Sequence, residues 1–224
     1  HLQLVPIQQR NRKWKGMIVT NPNCSTVTLA MGLAPLKPFG IRRVIATTLQ
    51  AISGAGFPGV ASMDIVGNVI PHIGGEEEKM ERETQKILGR CADGRVRPLE
   101  AVVSAHCNRV PVVDGHTVTV SVELELKSSL GELAEAFDRF RGAPQERRLP
   151  SAPQRPVVLL RDPNRPQPRK DAERERGMAV SVGRLRQCPA LGYKFVALAH
   201  NAIRGAAGAA VLNAELMHSE GLLD

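Results

Sequence analysis

An α+β fold is what this sequence predicts: a mixed, mostly antiparallel sheet with helices on one face. Three observations carry that reading. Residues 117–126 alternate strictly, with Val118, Val120, Val122, Leu124 and Leu126 on one side, the mark of a strand with one buried and one polar face. Residues 41–49, 99–107, 157–160, 178–185 and 193–199 add β-branched or apolar runs of strand length. Stretches with helical spacing stand apart from these strands instead of alternating regularly with them.

Taken in order, Met17-Ile18-Val19 is a short β-like run that Asn21-Pro22 interrupts, and residues 25–36 carry the apolar spacing of a helix. The strand at 41–49 leads into a Gly-rich loop at 53–59. Residues 75–88 are charged, with Met80, Ile87 and Leu88 as apolar members, and predict a largely solvated helix. Residues 129–141 predict an amphipathic helix with Leu130, Leu133, Ala134 and Phe137 on its apolar side, capped by Ser128 or Ser129 with Glu132 in the first turn. Two Pro/Arg-rich loops follow, at 142–155 and 162–176, and an Ala-rich helix at 203–218 closes the chain. No internal repeat is present.

At 224 residues and 42% hydrophobic composition the chain can bury a real core. Its net charge of +8 is concentrated between Arg141 and Arg186, mixed with acids and prolines, and only 3% of residues are aromatic. That pattern argues against a nucleic-acid platform and suits an acidic small molecule. Cys24, Cys91, Cys107 and Cys188 show neither C-x-x-C pairing nor dense spacing, which points to reduced thiols in the cytoplasm. The histidines have no metal-ligand spacing, so no metal is expected, and no run is long and apolar enough to span a membrane.

Chemistry gathers first at Asn21-Pro22-Asn23-Cys24-Ser25-Thr26, where a cysteine meets a helix start. Free N–H groups and the helix dipole there favour a thiolate, which predicts a lowered Cys24 pKa and faster alkylation than at Cys91, Cys107 or Cys188. His116, in a turn before a strand, is of a type that exchanges protons near neutrality. Residues 54–59 spell G-x-G-x-x-G, yet Pro58 and Gly67-Asn68 leave no room for the helix and parallel strand of a dinucleotide-binding unit.

Ile18 to Thr26, Thr48 to Gly56, the Gly-Gly-Glu-Glu-Glu-Lys run, Asn108-Arg-Val-Pro-Val-Val-Asp-Gly-His116 and Gly205 to Leu216, in this order, resemble the aspartate-β-semialdehyde dehydrogenase family in its archaeal and fungal branch. The resemblance implies a catalytic domain like that of glyceraldehyde-3-phosphate dehydrogenase, with the bare sheet face used for dimerisation. It implies reductive dephosphorylation of β-aspartyl phosphate to aspartate semialdehyde with NADPH, in amino-acid biosynthesis. The matched positions make Cys24 the nucleophile, His116 the acid/base catalyst and Gln50 the residue orienting the acyl group. Arg109 clamps the substrate carboxylate, Glu76 meets the ammonium, Lys79 the phosphate or carboxylate, and Asn23 lies near the phosphate; three consecutive glutamates leave the register at Glu76 open by one. Ser53, Gly54 and Gly56 approach the nicotinamide, and Asn213 could reach its carboxamide.

The family's N-terminal dinucleotide-binding domain has no match in these residues, so NADP binding is expected to lie mostly outside them and the chain alone to be inactive. The implied division is a catalytic and dimerisation domain at 1–200 and a closing helix at 201–224 that packs on the dinucleotide-binding domain, in a homodimer or homotetramer. An archaeal-type malonyl-CoA reductase, or a non-catalytic dimerisation module, is the alternative; Glu76 and Arg109 favour the aspartyl substrate.

Overall fold

A strand whose alternate side chains are Val118, Val120 and Val122 is stable only if they share a covered face. All three are at most 2% exposed, and the sheet is built around them. The computed structural model describes residues 1–223. In chain order the elements are α1 (Val5–Arg12), α2 (Cys24–Leu33), β1 (Ile41–Gln50), α3 (Ser62–Ile65), α4 (Glu76–Leu88), β2 (Arg90–Ala92), β3 (Arg95–Arg97) and β4 (Val102–Arg109). There follow β5 (His116–Leu124), α5 (Leu130–Arg139), α6 (Ala143–Glu146), β6 (Val157–Leu160), α7 (Pro168–Asp171), β7 (Val180–Cys188), β8 (Gly192–Ala199) and α8 (Gly208–Ser219).

The main sheet has six strands in the order β4-β1-β5-β8-β7-β6. Its three inner ladders are antiparallel and its two outer ladders, β1 with β4 and β6 with β7, are parallel. The expected α+β sheet is therefore present.

One face is covered by α2 over β1, β5, β7 and β8, by α4 over β4 and by α5 over β6 and β7. Leu29, Leu33, Phe137 and Phe195 fill the space beneath them. Gly32 lets α2 lie close, since a Cβ there would sit 3.1 Å from the Phe195 ring. Helix α5 starts as its sequence predicts, with Ser129 and Glu132 forming a reciprocal capping box. The opposite face is open over β4, β1 and β5, where Ile45, Leu49 and Val102 are exposed.

Helix α4 does more than the solvated role expected of it. Met80, Thr84 and Leu88 are buried, and a stripe of Glu77, Glu81 and Gln85 runs along the outer edge of β4. Glu77 accepts from Cys107 N–H and Glu81 from Ala105 N–H, each at 3.0 Å, while Gln85 donates to Ala101 O at 2.8 Å. The i, i+4, i+8 spacing thus satisfies an edge that would otherwise be open for pairing.

Three readings of the sequence change. Met17-Ile18-Val19 forms no strand: the Gln8 side-chain amide bonds both backbone groups of Ile18, at 2.8 and 2.9 Å, standing where a partner strand would. Residues 90–97, to which the sequence reading gives no strand, form the hairpin of β2 and β3, which turns at Asp93-Gly94, both at positive φ. The segment 162–176 is folded on itself around a buried carboxylate: Asp171, 1% exposed, pairs with Arg165 and Arg174 of the same segment. Its carboxyl, which burial would raise, is held low by those bonds and by Gln167 N–H.

Glu81→Ala should leave the Ala105 amide unpaired at the edge, a loss of about 1–3 kcal/mol for a buried donor. Hydrogen exchange at Ala105 should quicken relative to Val120. Unchanged exchange at Ala105 would show that the stripe does not protect the edge.

Candidate active site

Helix α2 begins at Cys24 because Asn23 is an efficient cap. Asn23 adopts an extended conformation, and its Oδ1 accepts from Ser25 N–H at 2.9 Å and Thr26 N–H at 3.2 Å. Its Nδ2 donates to both carboxylate oxygens of Glu76 at 2.8 Å. Its own N–H donates to Glu83 Oε2 at 2.8 Å. A helix start presents four free N–H groups, and three are satisfied here. The fourth belongs to Cys24 and meets no protein oxygen among the described residues.

Strand β1 ends at Gln50, 1% exposed, whose Nε2 donates to Glu76 at 3.3 Å. Gln50 pairs in register with Arg109 at the end of β4. Arg109 is 6% exposed, and its Nη1 donates to Ala51 O at 2.8 Å. Ala51 N–H in turn donates to His116 Nδ1 at 3.1 Å. With Nδ1 an acceptor, the network assigns the proton of neutral His116 to Nε2, which is buried and has no partner.

Two glycines draw the site together. A Cβ on Gly54 would lie 2.9 Å from His116 Nε2 and 3.0 Å from Arg109 Nη1. A Cβ on Gly205 would lie 2.7 Å from the Cys24 Cβ. Gly205 reaches this position in a π-helical turn, Ile203–Ala207, with its N–H on His200 O at 3.0 Å.

Of the three consecutive glutamates, Glu76 faces Asn23 and Gln50, Glu77 faces β4, and Glu78 is exposed. Ser53, Gly54 and Gly56 lie on an exposed turn beside His116. Lys79 is exposed and makes no ion pair among the described residues. Asn213 lies apart, its Nδ2 engaged by Asn21 Oδ1 at 2.7 Å.

Residues the sequence reading did not single out complete the frame. Asn201, 4% exposed, accepts from Gly115 N–H and donates to Ser53 Oγ, both at 2.8 Å, tying the His116 turn to the glycine turn. Glu83 and Gly205 touch Asn23 and Cys24 as described. None carries a signal of its own type; an asparagine beside His200 or a glutamate two turns past Glu76 reads as solvated helix or loop.

Burial sets the electrostatics. Burial raises the Cys24 thiol above its ordinary value, Glu76 adds to the rise, and the N–H groups of Ser25 and Cys24 and the charge of Arg109 do not offset it. The lowered pKa expected at a helix start is thus reversed, because desolvation and a neighbouring carboxylate outweigh the dipole. Cys107 is pushed up to about 11 by burial. Burial and then Arg109 and His200 press His116 down to about 3.

His116 is therefore neutral in the folded chain where it would be protonated in the unfolded one. Stability should fall as pH drops from about 6.5 toward 3, by up to roughly 1.4 kcal/mol per pH unit. Melting curves between pH 5 and 7 should show a steeper slope for the wild type than for His116→Gln; equal slopes would refute the buried neutral imidazole. Glu76→Gln removes a charge that raises the Cys24 pKa, so iodoacetamide should alkylate Cys24 faster at pH 7 in that variant, with peptide mapping as the readout. A slower rate would show that the Asn23 contact outweighs the charge.

A family profile described as "Semialdehyde dehydrogenase, dimerisation domain" matches residues 33–204. The aspartate-semialdehyde dehydrogenase of Methanothermobacter thermautotrophicus is 52% identical over 220 residues, 97% of this chain and 63% of that protein. That of Cryptococcus neoformans is 47% identical, over 100% of this chain and 64% of that protein. The crystal structure of Candida albicans aspartate semialdehyde dehydrogenase with NADP superposes with a TM-score of 0.89 at 40% identity, covering 100% of this chain and 65% of that one. Aspartate semialdehyde dehydrogenase II of Vibrio cholerae, in complex with ASA, gives 0.74 at 28% identity, over 94% and 64%. The chain spans about 64% of the length of such relatives. With its sheet, its cysteine-bearing helix and the matched span in agreement, the chain belongs to the semialdehyde dehydrogenase family, through that family's dimerisation domain.

Proposed function

We propose that these residues are the catalytic and dimerisation part of an NADP-dependent aspartate-semialdehyde dehydrogenase that converts β-aspartyl phosphate to aspartate semialdehyde and phosphate. The observation that carries the reading is the convergence of Cys24, Arg109 and His116 around Gly54, Gly205 and Asn23. Cys24 Sγ attacks the acyl carbon; a C–S bond forms, the C–O bond to phosphate breaks, and the leaving phosphate takes the bonding pair and the thiol proton. The guanidinium fork of Arg109 holds the substrate carboxylate, and Glu76 its ammonium. Gln50 orients the acyl group, and Lys79 and Asn23 lie toward the phosphate.

The turn Ser53-Gly54-Gly56 fits a nicotinamide ring because it is exposed and its glycines present bare backbone beside the buried, unpartnered Nε2 of His116. NADPH, when bound, supplies a hydride to the acyl carbon. His116 acts here through its Nε2–H: Ala51 N–H occupies Nδ1, so the neutral ring can donate but has no free acceptor toward the site. That donor and Cys24 N–H stabilise the oxyanion that forms at the acyl oxygen. A substrate carboxylate on Arg109 would also relieve the charge that lowers the His116 pKa.

Residues 1–200 form the catalytic and dimerisation part, and the closing segment 201–224 packs on the dinucleotide-binding remainder of the protein, offering the exposed Ala206, Ala207, Ala210 and Val211 to it. The open sheet face of Ile45, Leu49 and Val102 packs on a second copy, in a homodimer or in a homotetramer built from it. Four free cysteines suit the cytoplasm.

The full-length protein should turn over aspartate semialdehyde with NADP and phosphate, and Cys24→Ser should abolish it. His116→Gln keeps an N–H near the Nε2 position, so turnover should fall about tenfold or less. A loss of the 10²–10⁴-fold typical of general acid–base catalysis would return His116 to proton transfer.

A further inference from the structure

We propose that Glu83 is a positioning residue for the nucleophile: its hydrogen bond to the Asn23 N–H fixes the direction in which Cys24 leaves the helix cap. The proposal rests on the reading of Cys24 as nucleophile. It extends that reading to a residue with no contact to substrate.

Asn23 is held from three sides. Its side-chain oxygen faces the helix it caps, its side-chain nitrogen faces Glu76, and its backbone N–H faces Glu83. The two side-chain bonds do not touch the peptide plane between Pro22 and Asn23. The Glu83 bond holds that plane directly, engaging the backbone of Asn23 on the side away from the helix. Asn23 sits at φ −54 and ψ 143, and any drift there re-aims the chain that enters Cys24.

The contact comes from the interior of a long helix. Glu83 lies two turns beyond Glu76 on α4, so both carboxylates face Asn23 from one side, while Glu77 and Glu81 face β4. Glu83 is half-buried, and among the described residues it forms no ion pair; Asn23 N–H is its recorded partner. Its bond also removes the cap N–H from competition, so Cys24 N–H remains as the one helix-start donor open to the acyl oxygen.

A positioning role separates geometry from charge and from affinity. In the full-length enzyme, Glu83→Ala removes the acceptor, whereas Glu83→Gln keeps an oxygen that can accept from Asn23 N–H. Glu83→Ala should lower kcat by about 10- to 100-fold, the scale of a misplacement of an ångström, with KM changed less than about twofold. It should also slow iodoacetamide modification of Cys24, measured by peptide mapping at matched pH. Glu83→Gln should restore both quantities to within about threefold of wild type. Equal loss in the two variants would mean that charge, not the hydrogen bond, is what matters, and a rise in KM with kcat intact would place Glu83 in substrate binding; either result overturns the proposal. If Glu83→Ala does not fold, a loss of kcat or of alkylation rate in Glu83→Gln with an unchanged Tm does so by itself. Cys24→Ser serves as the control: if it retains turnover, the assignment of the nucleophile has failed, and the alkylation rates still report whether Glu83 positions Cys24.

Discussion

Helix α4 is the constraint on which the site depends, because it grips the helix that starts at Cys24 and the strand that ends at Arg109 at once. One stripe, Glu77, Glu81 and Gln85, bonds the backbone of β4, which ends in Arg109. A neighbouring stripe, Glu76 and Glu83, bonds Asn23, from which Cys24 springs. A helix turning 100° per residue offers two such stripes without bending. The separation of Cys24 from Arg109 is therefore set by a rigid element, not by the loops that connect them.

The resting site is arranged against charge. Burial pushes the Cys24 thiol up, the His116 imidazole down and the Arg109 guanidinium down, so each group is biased toward its neutral form. Glu76 and Arg109 act on the sulfur with opposite signs, one raising and the other lowering its pKa. A zwitterionic ligand with its ammonium on Glu76 and its carboxylate on Arg109 would alter both influences together. The geometry thus couples occupancy of the site to the protonation of Cys24, through two influences of opposite sign.

Much of the fold was legible, and where it was not the cause is specific. Val118 to Leu124 reads as a strand because its pattern matches the pleat, and Ser129 with Glu132 reads as a helix start because capping is local. Met17-Ile18-Val19 misleads because a strand needs a partner, and Gln8 takes that place from a helix with no apolar periodicity. Cys24, Gln50, Arg109 and His116 are visible through the resembled motifs, and the structure brings them together. The sign of the Cys24 pKa shift was not visible, since it depends on burial by distant segments. Nor were Asn201, Glu83 and Gly205, whose parts arise only from what they touch across the fold: Gly205 meets Cys24 from 181 positions away, the difference between 205 and 24.

The same stripe on α4 also decides how the sheet can associate. At one edge β4 has its backbone groups engaged by carboxylates and an amide, and at the other β6 is only four residues long. Both edges are thereby poor templates for strand addition. The face that α2, α4 and α5 leave open is different: Ile45 and Leu49 of β1 stand between Val102 of β4 and the small polar Thr119 and Ser121 of β5, with the charges of Arg43 and Glu123 paired to each other at the rim. A sheet whose edges are closed to strand addition and whose open face carries exposed apolar side chains is suited to face-to-face packing, on the side away from the helix layer and Cys24. Edge protection and the placement of Cys24 are in this way two results of one helix lying along one strand.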